Sequence, residues 1–272
     1  MKTPLAALSA LAAATLTLTG CGSSQASSSS TASASSSSAA SQASSGKIQV
    51  FAAASLNNAG ADLEKAYEAA NPGVDITFVY EGSAKLVTQI EQGATPDMLI
   101  TADTKNMDKA KKLDEFSESD STVLVTNKLV LVTAEGNPGK INSLDDLKTT
   151  EGVVAVCKED VPCGTLAHEE LKKHDITLKN ATTEGKVTDV ATKVTTGNAD
   201  AGFIYTTDLA AAKKKGVNLG SVDLPDVEPN EYPAALSKTG ASSDAAKKFN
   251  EWLKTSDEAK KILAGYGFNT TK

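Results

Sequence analysis

The residues able to do chemistry gather where apolar runs give way to helical patterns. In Phe51-Ala52-Ala53-Ala54-Ser55-Leu56 a β-rich run ends in small residues and passes into a helix-like stretch. Small side chains let the backbone approach a ligand, and Ser55 at a helix start can present both a hydroxyl and an amide. The same serine could equally serve only as a helix cap. Tyr80-Glu81-Gly82-Ser83-Ala84-Lys85-Leu86 repeats the arrangement. Ser83 has the same two options, and Lys85 is either a counterion or a solvated lysine on the first helical turn. A third stretch, Cys157-Lys-Glu-Asp-Val-Pro-Cys163-Gly164, leaves a strand and enters a helix. In an oxidising compartment two cysteines six apart predict a disulfide closing a short loop, with free thiols as the alternative. Their spacing is wrong for a redox pair two residues apart, and the loop is short of ligands for zinc. Two further candidates are Lys186-Val187-Thr188-Asp189-Val190, which opens a helix, and Tyr205, which ends the run Ala201–Tyr205. Tyr205 can aim its hydroxyl into a cleft or sit in the core with that hydroxyl satisfied.

Composition narrows what these residues could bind. The chain has 27 lysines against 34 carboxylates, a net charge of −7, and no arginine at all. An acidic surface argues against nucleic acid and against a polybasic membrane patch. Without arginine there can be no bidentate guanidinium fork, so an anion must be held by lysine or by neutral donors. Two histidines, His168 and His174, are too few for a histidine-rich metal receptor. Near Ser55 and Ser83 there is no histidine, carboxylate pair or activating base, which argues against hydrolysis.

The elements that must position these groups alternate. Apolar β-rich runs at 47–53, 74–80, 97–101, 122–133, 152–157, 201–205 and 232–237 are separated by helical patterns. Those patterns fall at about 58–71, 84–92, 104–113, 143–148, 165–173, 187–196 and 207–214, with two more at 242–254 and 256–265. Alternation of this kind predicts an α/β fold with mostly parallel sheet, and ligands in such folds sit beside strand ends and helix N-termini. The run at 122–133 lacks a helix after its first strand, as expected of a segment crossing between two lobes. The stretch near 228–237 suits the return. We therefore expect lobe 1 to comprise 47–125 and 233–272, and lobe 2 to comprise 126–232.

Ahead of the folded part, Lys2, an apolar stretch and Leu18-Thr19-Gly20-Cys21 predict a signal peptide over 1–20. The Leu-x-Gly-Cys ending resembles the bacterial lipobox, which implies lipid on Cys21 and an extracytoplasmic protein anchored to the cell membrane. Residues 21–46 are then the lipidated cysteine and a Ser/Ala tether with no charge and nothing to bury. As a random coil it would reach roughly 25–30 Å.

Taken together, FAAASL (51–56), GSAKLVTQIEQGATPDMLITAD (82–103), VPCG (161–164) and GNADAGFIYTTD (197–208) resemble the bacterial molybdate-binding proteins of ABC importers, over essentially all of 47–272. The resemblance implies a two-lobed periplasmic-binding-protein-like fold of type II, with two crossing strands and the ligand in the interlobe cleft. It implies an oxyanion held without a cationic side chain: Ser55 and Ser83 through hydroxyl and amide, Cys163 and Val187 through backbone amides, and Tyr205 through its hydroxyl, with Val190 as a rival to Val187. Where the family commonly has Pro-Ala-Gly, this chain has Pro162-Cys163-Gly164, which keeps the amide donor. Where a second serine and a glycine are usual, it has Ala84 and Lys85. The implied function is capture of molybdate, and also tungstate, for an ABC permease. No cofactor, resident metal or catalysis is expected, and the protein should be a monomer. A receptor of the same class for sulfate or another small anion, a surface hydrolase and a structural lipoprotein are the alternatives.

Overall fold

The computed structural model describes residues 46–270. The expected signal peptide, the lipidated Cys21 and the tether as far as residue 45 lie outside those residues. Gly46, assigned above to the tether, already belongs to the first strand, where it pairs with Val74.

In chain order the elements are β1 (Gly46–Ala53), α1 (Asn57–Ala70), β2 (Val74–Glu81), α2 (Ser83–Glu91), β3 (Met98–Ile100), α3 (Thr104–Ala110), β4 (Ser121–Asn127) and β5 (Leu129–Thr133). There follow β6 (Val154–Cys157), α4 (Pro162–Lys173), β7 (Ala181–Glu184), α5 (Val187–Thr195), β8 (Ala201–Tyr205), α6 (Thr206–Lys214) and β9 (Gly220–Asp223). The chain closes with β10 (Asn230–Leu236), α7 (Lys238–Ala241), α8 (Asp244–Thr255), α9 (Asp257–Gly265) and β11 (Asn269–Thr270). Among the described residues no helix is long and apolar enough to cross a membrane.

These strands form two sheets, ordered β11-β4-β10-β3-β1-β2 and β7-β6-β8-β5-β9. The expectation of mostly parallel sheet is corrected here, because both are mixed. β1 runs parallel to β2 and β3, and β6 parallel to β7 and β8. The strands that carry the chain between lobes run against them: β10 is antiparallel to β3 and β4, and β5 to β8 and β9. A crossing strand enters its new sheet without a helical crossover to reverse its direction, so antiparallel pairing follows. The chain changes sheet at Asn127–Lys128 and returns between Asp223 and Asn230.

Each sheet has its own core. Ile48, Val50, Leu63, Tyr67, Phe249 and Leu253 pack one face of the first, and Phe51, Leu86, Leu99, Met107 and Phe116 the other. Leu131, Val156, Leu171, Val190 and Phe203 are central to the second. Strands buried on both faces read as continuous apolar runs, which is why β1, β5, β6 and β8 stand out in the sequence. β7 (ATTE) and β9 (GSVD) are the exposed edges of the second sheet and carry no such run.

Candidate functional site

The five residues implicated by the sequence, Ser55, Ser83, Cys163, Val187 and Tyr205, line one cavity between the two sheets. Ala53, Ala54, Gly82, Ala102, Val161 and Pro162 complete its wall, so no lining side chain among the described residues is charged. The space inside it is ≈ 10 Å³, room for about one water molecule, so the two walls stand close together.

Helix starts make up most of the wall. Ser83 is the first residue of α2, Cys163 the second of α4 and Val187 the first of α5. The residues preceding these helices, Gly82, Val161 and Lys186, provide no side-chain cap. Four other helices are capped, since Asp103, Ser237, Ser243 and Ser256 each accept from a first-turn amide of α3, α7, α8 and α9, whereas α1 starts at Leu56 without a side-chain cap. Helix starts leave N–H groups without intrahelical acceptors and carry partial positive charge. Three uncapped starts meeting at one cavity form a cationic field made of backbone alone.

The hydroxyls are buried and individually held. Ser55 lies in a 3-10 turn after β1, and its Oγ is 2.8 Å from Tyr232 Oη. The helix-capping alternative for Ser55 therefore fails, since the hydroxyl is engaged across the sheet. Ser83 Oγ accepts from the Ala102 amide at 3.0 Å. Tyr205 ends β8, is 1% exposed, and its Oη accepts from Asn230 Nδ2 at 2.5 Å. Burial pushes the Tyr205 phenol well above its ordinary pKa, with the neighbouring Tyr232, Asp103 and Asp208 adding to the effect. It stays a protonated donor at any physiological pH. Asp208, fully buried in the first turn of α6, accepts from the Tyr205 amide at 3.2 Å and is pushed up to about 7 by burial, against the lowering effect of its backbone hydrogen bonds.

The two lobes touch around this cavity. A Cβ placed on Gly82 would collide with the Gly185 carbonyl oxygen, and Ala54 packs into the core of the second sheet. At the rim Glu81 accepts from Lys85 at 2.8 Å and pairs with Lys186 at 3.4 Å, which joins β2 to the residue ahead of α5. Burial would raise Glu81, but the Lys85 hydrogen bond and the two ammonium charges outweigh it and hold the carboxyl below its usual range. Lys85 is thus a rim residue, not a counterion inside the cavity.

Cys157 and Cys163 are joined by a disulfide, which ties the end of β6 to the start of α4. Behind it Gly164 has no room for a side chain, because a Cβ there would strike the Lys158 carbonyl oxygen. Val190, the rival to Val187, faces away from the cavity and packs beneath Gly202. Asn127, Asn230 and Tyr232 were not singled out in the sequence. An Asn-Lys pair at a strand end and a tyrosine inside a strand carry no local signal of an interlobe role.

Residues 48–269 match the family model of bacterial extracellular solute-binding proteins. The molybdate-binding protein ModA of Mycobacterium tuberculosis is 37% identical over 223 residues, covering 81% of this chain and 84% of that protein. A putative ABC transporter substrate-binding lipoprotein, YvgL of Bacillus subtilis, is 35% identical over 228 residues, covering 81% and 85%. Among solved structures, the periplasmic molybdate-binding protein of Azotobacter vinelandii superposes with a TM-score of 0.71 at 21% identity, over 83% of this chain and 100% of that one, a likeness of fold. The chain belongs to the bacterial extracellular solute-binding proteins.

Proposed function

We propose that this protein captures molybdate, with tungstate as an equally fitting oxyanion, in the cavity between its lobes and delivers it to an ABC permease. The observation that carries this reading is the convergence of three uncapped helix starts with three buried hydroxyls on a cavity without charged side chains. Molybdate is a dianion with four acceptor oxygens and no proton to give near neutral pH. Hydroxyls of Ser55, Ser83 and Tyr205 and amides of Ser55, Ser83, Cys163 and Val187 would face it with donors alone. A protonated phosphate would meet one of those donors with its own hydrogen and lose affinity. Helix starts explain how a chain without arginine offsets a double negative charge.

The name of the anion draws on the M. tuberculosis relative, since charge and shape alone are shared with sulfate. Calorimetric titration of molybdate, tungstate and sulfate into the anion-free protein tests it. Tight sulfate binding with none for molybdate would end the assignment.

A carrier also fits the site better than a catalyst. The partner of the Ser55 hydroxyl is a phenol, while His168 bonds the Cys157 carbonyl and His174 pairs with Glu170, so neither serine has a base to activate it. Anchoring through lipid on Cys21, a monomeric state and the absence of a cofactor belong to the same proposal. The lobe assignment (47–125 with 233–272, and 126–232) belongs to it as well. Closure around the anion would present the permease with a shape the open receptor lacks.

A further inference from the structure

Asn127 and Asn230 face each other as register partners on the antiparallel β4–β10 ladder, beside both crossings of the chain. Both are buried. The orientation of each amide is settled by partners that can act in only one sense. Asn127 Oδ1 accepts from the Lys128 backbone N–H at 3.0 Å and from the Thr206 hydroxyl at 3.0 Å. Its Nδ2 must therefore donate, to Thr207 Oγ1 at 2.8 Å and to Tyr232 Oη at 3.3 Å. Tyr232 Oη receives that hydrogen and keeps its own, and Ser55 Oγ stands 2.8 Å away, a pair in which either hydroxyl can donate.

The second asparagine works in the same way. The Ala102 carbonyl can only accept, so the atom 2.6 Å from it is Asn230 Nδ2, and the other hydrogen of that amide goes to Tyr205 Oη. At Ser83 the Ala102 backbone N–H is again a pure donor. The Ser83 and Tyr205 hydroxyls are consequently acceptors toward the protein, and a Tyr232→Ser55 bond gives Ser55 the same sense. A hydroxyl held in that sense has its own hydrogen left for the cavity.

Building on the oxyanion reading above, we propose that Asn127, Tyr232 and Asn230 are positioning residues that hold the Ser55 and Tyr205 hydroxyls as donors toward the cavity before any anion arrives. The relay Asn127→Tyr232→Ser55 carries one direction of hydrogen bonding from the crossing strand to the site. Hydrogen bonds in such a chain polarise one another, so the terminal serine is also a stronger donor than an isolated hydroxyl. Because Asn127 also holds Thr206 and Thr207 at the start of α6, the same amide that orients the site ties the lobes together at their pivot.

A double-mutant cycle separates this role from a merely structural one. Molybdate is titrated by calorimetry into the full chain in native form, as Tyr232→Phe, as Ser55→Ala and as the double variant, with the melting temperature of each recorded without anion. Tyr232→Phe should raise the molybdate Kd about three- to tenfold, the range for one oriented hydrogen bond, and should have no further effect once Ser55 is alanine. Equal loss in both backgrounds, or no loss in either, overturns the proposal. The matching cycle of Asn230→Ala with Tyr205→Phe reads the second relay by the same criterion. A flat molybdate titration for the native protein removes the oxyanion reading itself, and the positioning role falls with it.

Discussion

Gly82→Ala should separate folding from closure. Gly82 has φ −61° and ψ 137°, a conformation that alanine adopts freely, so the substitution introduces no backbone strain. The added methyl would, however, stand closer than 3.0 Å to the Gly185 carbonyl oxygen on the opposite lobe. Restoring ordinary contact requires the cleft to open there by roughly 1 Å. An anion gripped by Ser55 and Ser83 would then lie too far from the Cys163 and Val187 amides for a hydrogen bond. Hydrogen bonds to a charged acceptor contribute about 1.5–3 kcal/mol each, so losing both costs about 3–6 kcal/mol, or two to four decades in Kd. Molybdate calorimetry measures this, and the anion-free melting temperature should stay at the native value. Gly185→Ala is the control, because nothing lies within 4 Å of a Cβ there, and it should bind normally. A native Kd for Gly82→Ala would show that the arrangement seen here is not the one that holds the anion.

Other expectations follow from the same geometry. Ser55→Ala and Ser83→Ala should each weaken molybdate binding by about 1–3 kcal/mol, and Tyr205→Phe by a similar amount, with folding preserved; unchanged affinity in all three would misplace the site. Asp208, raised from 3.8 to about 7 in the folded state, gives stability that is full below pH 4 and lost as pH rises toward 7. Asp208→Asn should therefore flatten the curve over that window, by up to about 4 kcal/mol relative to the native protein, as read by urea unfolding at each pH. An unchanged pH profile would show that folding does not raise the Asp208 carboxyl above its ordinary range. Reducing the Cys157–Cys163 bond, whose partners are 6 residues apart, should destabilise the protein by about 2 kcal/mol in thermal unfolding, and no shift on reduction would count against it.

Much of the site was legible in the sequence because it is built from strand ends. Ser55, Ser83, Cys163, Val187 and Tyr205 all sit where an apolar run or a turn meets a helical pattern, and the fold brings those five to one cavity. The uncapped helix starts were also there to be read: Gly82, Val161 and Lys186 stand where Asp103, Ser243 and Ser256 cap other helices. What the sequence could not display is pairing across distance. The direction of β10 depends on which strands it meets after the crossing, and a run of apolar residues does not encode that. β7 and β9 escaped because an edge strand has no buried face to pattern it. Asn127, Asn230 and Tyr232 act through contacts across 25 to 177 positions of chain.

The backbone amides in the proposed site have a consequence for how such a receptor can change. An N–H from Cys163 or Val187 does not depend on the side chain it accompanies, and only proline would abolish it. Those two positions can therefore drift in sequence under a constant ligand, as long as the replacement fits the wall. Cys163 illustrates that freedom, since it lines the cavity while its sulfur is committed to Cys157. Selection for the anion would bear on the side chains of Ser55, Ser83 and Tyr205 and leave the two amide-only positions silent in any comparison of side chains.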